Sequence, residues 1–109
     1  MDTLTQIVRQ EVSAYAGNGR GANILLFPLL DDEHHTYAVN AVDYPTRDDV
    51  ALVVVLARIV DDVVVIEEDT TDKKLVDALL QRGISRQNIV LAYLGELLPD
   101  AEKYILDAI

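Results

Sequence analysis

Two runs of β-branched apolar residues, separated by the pair Asp61-Asp62, constrain the fold of this chain most strongly. The runs occupy residues 50–60 and 63–67, and a two-residue polar break between such runs is typical of a tight β-hairpin. Strands that are continuously apolar need cover on both faces. Helices of a small domain can cover one face, and we expect another subunit to cover the other, which predicts a homo-oligomer.

Two further strands are predicted upstream of this hairpin. Residues 23–30 are largely apolar, and residues 36–44 alternate loosely between apolar and polar positions. Polar turns at residues 31–34 and 45–49 separate these strands from each other and from the hairpin. Four sequential strands with short connections favour an antiparallel meander. Because Pro28 cannot donate a backbone hydrogen bond, it disfavours a central place in the sheet for its strand.

The N-terminal segment predicts a helix that begins at Thr3. Thr3 and Gln6 have the spacing of a capping box. Three glycines within residues 17–21 make continued helix unfavourable, and we interpret this stretch as a loop or linker. Its G-x-G-x-G pattern follows a helix instead of a strand, which is the wrong context for a phosphate-binding turn. The apolar stripe of this helix consists of Leu4, Ile7, Val8, Val12 and Tyr15.

The C-terminal third predicts two more helices around a short strand. Residues 69–72 offer several N-cap candidates, and Gly83 lies where a left-handed stop belongs. Residues 89–93 form a short apolar run, and Pro99 favours the first turn of a last helix over residues 98–109. The apolar positions are Leu75, Val76, Leu79 and Leu80 in the earlier helix, and Tyr104, Ile105 and Ala108 in the later one.

These elements predict an α+β fold in a single domain over residues 1–109. The order is an N-terminal helix, an antiparallel four-stranded meander, a helix, a short fifth strand and a C-terminal helix. A chain of 109 residues suits one domain, and its 50% hydrophobic residues can form a core.

The charge balance excludes some classes of partner. Nineteen acidic against nine basic residues give a net charge of −10. This charge opposes direct binding to a phosphate backbone and attracts a basic partner, although solubility alone also explains many acidic proteins.

The absence of cysteine excludes disulfides and thiolate metal sites. The start lacks a signal-peptide pattern, and no apolar run reaches the ~18 residues that span a bilayer, so we expect a cytoplasmic protein that does not enter a membrane.

The segment from Asp69 to Tyr93 reads DTTDKKLVDALLQRGISRQNIVLAY. It resembles the signature region of the fdxN element excision controlling factors, the XisI-like family. That family has an acidic strand end, a Thr-Asp/Glu pair, a leucine-bearing helix, a Gly-Ile/Val stop and a strand similar to IVLGF. The counterparts here are Asp69, Thr71-Asp72, Leu75, Leu79, Gly83-Ile84 and residues 89–93.

The resemblance extends upstream to residues 7–10 and 36–44, but it includes departures. Asp43-Tyr44 stands in place of the family's Gly-Trp, and residues 63–67 replace a Lys-Ile-Trp-Ile-Gln strand. The resemblance implies a XisI-like fold and a non-enzymatic accessory factor without cofactor. It further implies that the factor acts with a XisH-like, nuclease-fold protein and a recombinase in programmed DNA excision in cyanobacteria.

Four residues in divergent turns and in the acidic C-terminal segment are the predicted partner contacts: Tyr44, Arg47, Glu96 and Asp100. The only two histidines, His34 and His35, are adjacent, and adjacent strand residues point to opposite faces. A hard-ion site with the neighbouring carboxylates is conceivable, but we interpret this stretch as a solvated turn.

Two alternative functions remain open at this point. The first is a metal-dependent nuclease that uses Asp69 and Asp72, with Lys74 nearby, although helix capping also explains these aspartates. The second is an antitoxin-like inhibitor that mimics the charge of DNA and blocks a nuclease partner. We assign no catalytic, cofactor-binding or metal-binding residue.

Overall fold

A computed structural model describes residues 2–103 of the chain. Within that range, six strands form one sheet in the order β1-β2-β3-β4-β5-β6. The elements in chain order are α1 (Thr3–Ala14), β1 (Arg20–Gly21), β2 (Ile24–Asp31), β3 (Thr36–Asp43), β4 (Leu52–Val60), β5 (Val63–Asp69), α2 (Leu75–Gln81) and β6 (Ile89–Leu91), with short 3₁₀ turns at Arg86–Asn88 and Ala92–Leu94.

The predicted antiparallel meander is confirmed for β2 to β5, and the α+β class is confirmed with it. The sequence predicted five strands, whereas the sheet of the described residues has six. The predicted glycine loop contains β1, which pairs with the start of β2, and β6 joins the sheet beside β5 in parallel orientation. A parallel pair needs a crossover connection, and α2 supplies it.

The Asp61-Asp62 hairpin forms as predicted. Both residues have positive φ, 47° and 65°, which is the backbone that a two-residue type I′ turn requires. Strand β4 begins at Leu52 instead of residue 50, and Val50 is exposed before it.

Helix α1 begins at Thr3 as predicted, but its cap lies one residue earlier. The Asp2 carboxylate accepts a hydrogen bond from the Thr5 backbone N–H at 2.8 Å. An aspartate at this position also complements the helix dipole. The predicted capping role of Thr3 is therefore wrong, because Asp2 satisfies the free N–H group.

The second helix begins later than the predicted N-cap candidates at residues 69–72, while its predicted end is confirmed. The N-cap of α2 is Lys74, which makes no side-chain capping bond. At the other end, Gly83 has φ 88°, and the Ile84 N–H donates to the Leu79 carbonyl at 3.1 Å. This bond and the one from Gly83 to Leu80 define a Schellman stop.

The predicted last strand and last helix are only partly described. Residues 89–91 form β6, but residues 92 and 93 belong to a 3₁₀ turn, so the predicted strand was too long. Residues 101–103 are helical and residues 99 and 100 form a turn, so the last helix begins later than the predicted residue 98. The predicted apolar positions Tyr104, Ile105 and Ala108 lie outside the described residues.

The core lies on one face of the sheet, which we call the inner face. Helices α1 and α2 pack there against the sheet and against each other. The centre of this core has no solvent exposure, because strand side chains alternate and one set meets the helices. Its buried strand residues are Tyr37, Val39, Val55, Ala57, Val64, Ile66, Ile89 and Leu91.

Candidate partner-binding surfaces

One end of the sheet concentrates negative charge, and we call it the acidic end. The β2–β3 and β4–β5 turns meet there, since the Ile59 N–H donates to the His35 carbonyl at 2.9 Å. The N-terminus of α1 lies beside them in a shared concavity. Six exposed carboxylates belong to this end: Asp2, Asp31, Asp32, Glu33, Asp61 and Asp62.

The positive charge near this end is limited. Arg9 forms an ion pair with Asp32 at 3.3 Å, and the Tyr37 hydroxyl donates to the same carboxylate at 2.9 Å. Burial of Tyr37, together with this bond to Asp32, raises the pKa of its phenol to about 12. Tyr37 therefore stays protonated and holds Asp32 in place.

Local hydrogen bonds keep two members of the acidic end charged. The Thr5 backbone N–H lowers the pKa of Asp2, and the His34 backbone N–H, at 3.0 Å, lowers the pKa of Asp31. His34 also contacts Asp31 through its ring Nδ1 at 2.7 Å. Both histidines lie in an exposed turn, which agrees with the predicted solvated turn.

The predicted contacts Tyr44 and Arg47 lie on the turn between β3 and β4, at the opposite end of the sheet from the acidic end. Asp43 organises this turn, because its carboxylate accepts the backbone N–H groups of Asp48 at 3.1 Å and Asp49 at 2.7 Å. The Arg47 guanidinium donates to the Asp43 carbonyl. The Tyr44 side chain is 47% exposed and available to a partner.

The other two predicted contacts make bonds within the chain. Glu96 accepts the Leu91 N–H at 2.9 Å and pairs with Arg86 at 2.8 Å, and the backbone bond lowers the pKa of Glu96. Asp100 accepts two bonds from the Arg58 guanidinium, at 2.8 and 3.0 Å. The structure therefore does not gather the four residues into one patch, and their contact with a partner stays a prediction.

The face of the sheet opposite the helices, the outer face, carries a surface that sequence analysis did not locate by residue. Its half near β5 is covered, since Val65 is fully buried and the adjacent Arg58 holds Asp100 against the sheet. Its half on β2, β3 and the start of β4 is open. We call this half the open outer patch, and the strand register assigns to it Leu25, Phe27, Leu29, Ala38, Asn40, Val42, Val53 and Leu56.

The open outer patch includes one polar group without a partner. The Oδ1 atom of Asn40 is buried and has no hydrogen-bond partner among the described residues. It lies in a row with Phe27 and Val53. The patch borders a depression of about 320 Å³, which Thr36 and Asp31 also line. The rule that continuously apolar strands need cover on two faces was the sequence signal for this surface.

The aspartate at the centre of the alternative nuclease site has a structural role in the fold. Asp69 is only 4% exposed, and its carboxylate accepts the N–H groups of Thr71 at 2.9 Å and Leu75 at 2.7 Å. It therefore anchors the loop that enters α2. Asp72 is exposed nearby, and the Lys74 ammonium donates to the Asp69 carbonyl at 3.1 Å. Between residues 2 and 103, no group of three or more acidic or histidine side chains could hold a metal ion.

Comparisons with known proteins agree with the resemblance seen in residues 69–93. The sequence model of a family described as XisI protein matches residues 1–104. A crystal structure of a XisI-like protein from Anabaena variabilis ATCC 29413 at 1.30 Å resolution has a TM-score of 0.70 and 22% identity, covering 92% of this chain and 90% of that chain.

A second crystal structure, of the fdxN element excision controlling factor XisI from Anabaena variabilis ATCC 29413 at 2.19 Å resolution, has a TM-score of 0.67 and 20% identity. It covers 89% of this chain and 92% of that chain. At these identities the two structures show the shared fold. No curated protein matches the chain. Among the helices of residues 2–103, none has the length and apolar character that crossing a membrane requires.

Proposed function

Because this chain belongs to the XisI protein family, we propose that it is a non-enzymatic controlling factor that binds a basic, nuclease-like protein in the cytoplasm. The task would be programmed excision of a DNA element, as the name of the structurally similar excision controlling factor indicates. The partner would be a XisH-like protein.

The acidic end is the observation that carries this proposal. Its six exposed carboxylates lie on two turns and a helix start that the fold brings together, and Arg9 is the one arginine that pairs with them among the described residues. Complementary charge steers association and suppresses wrong partners. Since a net charge of −10 opposes direct contact with DNA, the chain would act through a protein.

A binding experiment with a charge-matched control tests the proposal. The triple variant Glu33→Gln, Asp61→Asn, Asp62→Asn removes half of the acidic end, and asparagine tolerates the positive φ of the two turn positions. We expect it to weaken binding of the purified XisH-like protein from the same genome by at least about tenfold. Isothermal titration calorimetry at low salt measures the Kd.

The control variant Asp72→Asn, Asp77→Asn, Glu102→Gln changes net charge equally at exposed positions outside the acidic end. It should bind within about twofold of the wild type, and raising NaCl from about 50 to 300 mM should weaken the wild-type complex. Equal losses in both variants, or no binding by the wild type at low salt, would refute the proposed role of the acidic end.

The same surface suits the inhibitor alternative, because an array of carboxylates mimics the charge of DNA. A nuclease assay of the partner distinguishes the two roles. A controlling factor leaves the partner's cleavage of DNA intact or redirects it. An inhibitor abolishes cleavage in proportion to the complex formed, and the triple variant restores it.

A further inference from the structure

We propose that Arg86 and Glu96 close the free edge of strand β6, and that opening this closure lets the edge pair with β6 of a second copy of the chain. The two residues form an exposed ion pair at 2.8 Å. This inference concerns a different part of the molecule from the acidic end and does not depend on the proposed function.

Strand β6 is the last strand in the sheet of the described residues, so one of its edges has no neighbouring strand. In a parallel pair, a residue that bonds to the neighbouring strand alternates with one whose backbone groups point away from it. Ile89 and Leu91 are the residues of β6 whose backbone groups point away from β5, since side chains outside the sheet bond both. The free edge therefore presents two N–H groups and two carbonyls.

Arg86 and Glu96 together bond all four of these groups. The Ile89 N–H donates to the Arg86 carbonyl, and the Arg86 guanidinium donates to the Ile89 carbonyl at 2.6 Å. Glu96 does the same for Leu91: its carboxylate accepts the Leu91 N–H at 2.9 Å, and its backbone N–H donates to the Leu91 carbonyl at 3.2 Å. Two residues thus take the place of the strand that is missing at this edge.

The ion pair joins the two halves of the closure. Arg86 uses Nη1 for the Ile89 carbonyl and Nη2 for Glu96, while Glu96 uses Oε1 for the Leu91 N–H and Oε2 for Arg86. The bonds run from Ile89 to Leu91 as they would through one residue of an added parallel strand. Both side chains are more than 40% exposed, and exposed ion pairs contribute little to stability. Closure of the edge therefore explains this arrangement better than stability does.

The sequence of the β6 segment makes an open edge unfavourable for a soluble chain. Residues 89–94 read IVLAYL, six apolar residues without a charge, a proline or a glycine. Segments of this length and composition are prone to pair with identical segments of other chains. An unpaired strand edge is the template for such pairing, because its donors and acceptors complement those of the same edge in a second copy.

The opposite edge of the sheet is protected by a different residue. The Leu26 N–H donates to the Gly19 carbonyl, so the backbone groups of Leu26 face β1. Pro28 lies two residues further along β2, on the same side, and has no N–H to donate. Proline on an edge strand disfavours the addition of another strand. Protection at both edges favours a protective role for the Arg86–Glu96 pair over a chance surface contact.

Amide hydrogen exchange followed by NMR tests the closure at the Leu91 N–H. Glu96→Ala removes the acceptor, whereas Glu96→Gln keeps an acceptor oxygen at the same reach and changes the net charge equally. In dilute protein, Leu91 should exchange at least about tenfold faster in Glu96→Ala than in the wild type, and within about twofold of it in Glu96→Gln. Amides of β4 should keep their wild-type exchange rates, because the expected change is local.

Protein concentration tests the pairing with a second copy. Raising Glu96→Ala from about 50 to 500 µM should slow exchange at Leu91 again, because the added strand supplies a new acceptor. Sedimentation velocity should then show larger species than the wild type forms at the same concentration. The wild type and Glu96→Gln should show no concentration dependence at Leu91.

Three results would overturn the proposal. Exchange at Leu91 that is as slow in Glu96→Ala as in the wild type would show that Glu96 does not close the edge. Exchange that stays fast at the higher concentration, without larger species, would exclude pairing with a second copy. Equal association of Glu96→Ala and Glu96→Gln would assign the effect to charge, and loss of protection throughout β4 would assign it to stability.

Discussion

The inner and outer faces of the sheet are similarly apolar but differ in what lies against them. On the inner face, α1 and α2 bury side chains such as Val39, Val55 and Ile66 completely. On the outer face, Val65 is fully buried beside Arg58, which forms an ion pair with Asp100, and the remaining half is the open outer patch. The difference arises because the helical segments of the described residues are too few to cover both faces of six strands.

The two faces of a single strand differ in the same way. In β3, Val39 is fully buried on the inner face, while its neighbour Asn40 lies on the outer face, and its Oδ1 atom has no hydrogen-bond partner among residues 2–103. Because side chains alternate, neither set constrains the other. Substitutions at neighbouring positions of this strand can therefore test the two faces separately.

The largest expected effect comes from truncating a side chain on the inner face. Ile66→Ala removes a fully buried side chain of the core and should lower the free energy of unfolding by about 2–5 kcal/mol. Leu29→Ala, on the open outer patch, should cost less than about 1 kcal/mol in the monomer. Urea unfolding measures the free energy of unfolding of both variants. Similar losses would show that the outer face is covered in the monomer.

The covered half of the outer face should give an intermediate effect. Asp100→Ala breaks a two-bond ion pair whose side chains are 17% and 19% exposed, and it leaves the Arg58 guanidinium without this carboxylate. We expect a loss of about 1–3 kcal/mol in the free energy of unfolding, between the values for exposed and fully buried pairs.

The neighbouring variant Glu102→Ala removes an exposed carboxylate of the same segment and is the control for Asp100. It should change the free energy of unfolding by less than about 0.5 kcal/mol. If Asp100→Ala is equally neutral, the segment does not stabilise this half of the face, and the two halves are equivalent.

The sequence predicted the parts of the fold that local chemistry determines. The Asp61-Asp62 turn, the Gly83 stop and the meander of four strands follow from turn residues and periodicity, and all three are confirmed. The cap of α1 was assigned one residue too late, because the spacing of Thr3 and Gln6 fits a capping box. The predicted helix-start role of Asp69 is confirmed, since its carboxylate accepts the Leu75 N–H across six residues. The two-residue strand β1 was missed because its glycine-rich sequence is typical of loops.

The surfaces were harder to predict than the fold, because they depend on residues that are distant in the chain. The acidic end combines Asp2 with turns 30 and 60 residues away, and only the tertiary structure brings them together. Glu96 and Asp100 were chosen for their charge, yet both make bonds within the chain, to Arg86 and Arg58. Charge composition alone cannot distinguish a carboxylate that binds a partner from one that stabilises a segment.

The smallest expected effect concerns the carboxylate that caps the inner-face helix. The Thr5 backbone N–H lowers the pKa of Asp2 below its ordinary value of 3.8. The stabilisation is therefore complete above pH 3.8 and is lost as pH falls through the lower native pKa. Asp2→Asn keeps the cap but removes its titration.

The variant should match the wild type at neutral pH and lose less thermal stability between about pH 4 and 2, as followed by circular dichroism. Asp72→Asn, which removes an exposed charge away from this cap, is the control and should follow the wild-type curve. Asp31→Asn applies the same test at the rim of the outer face, since the His34 backbone N–H lowers the pKa of Asp31. If Asp31→Asn changes the acid stability and Asp2→Asn does not, the Asp2 cap does not stabilise α1. In that case apolar packing alone accounts for the difference between the two faces.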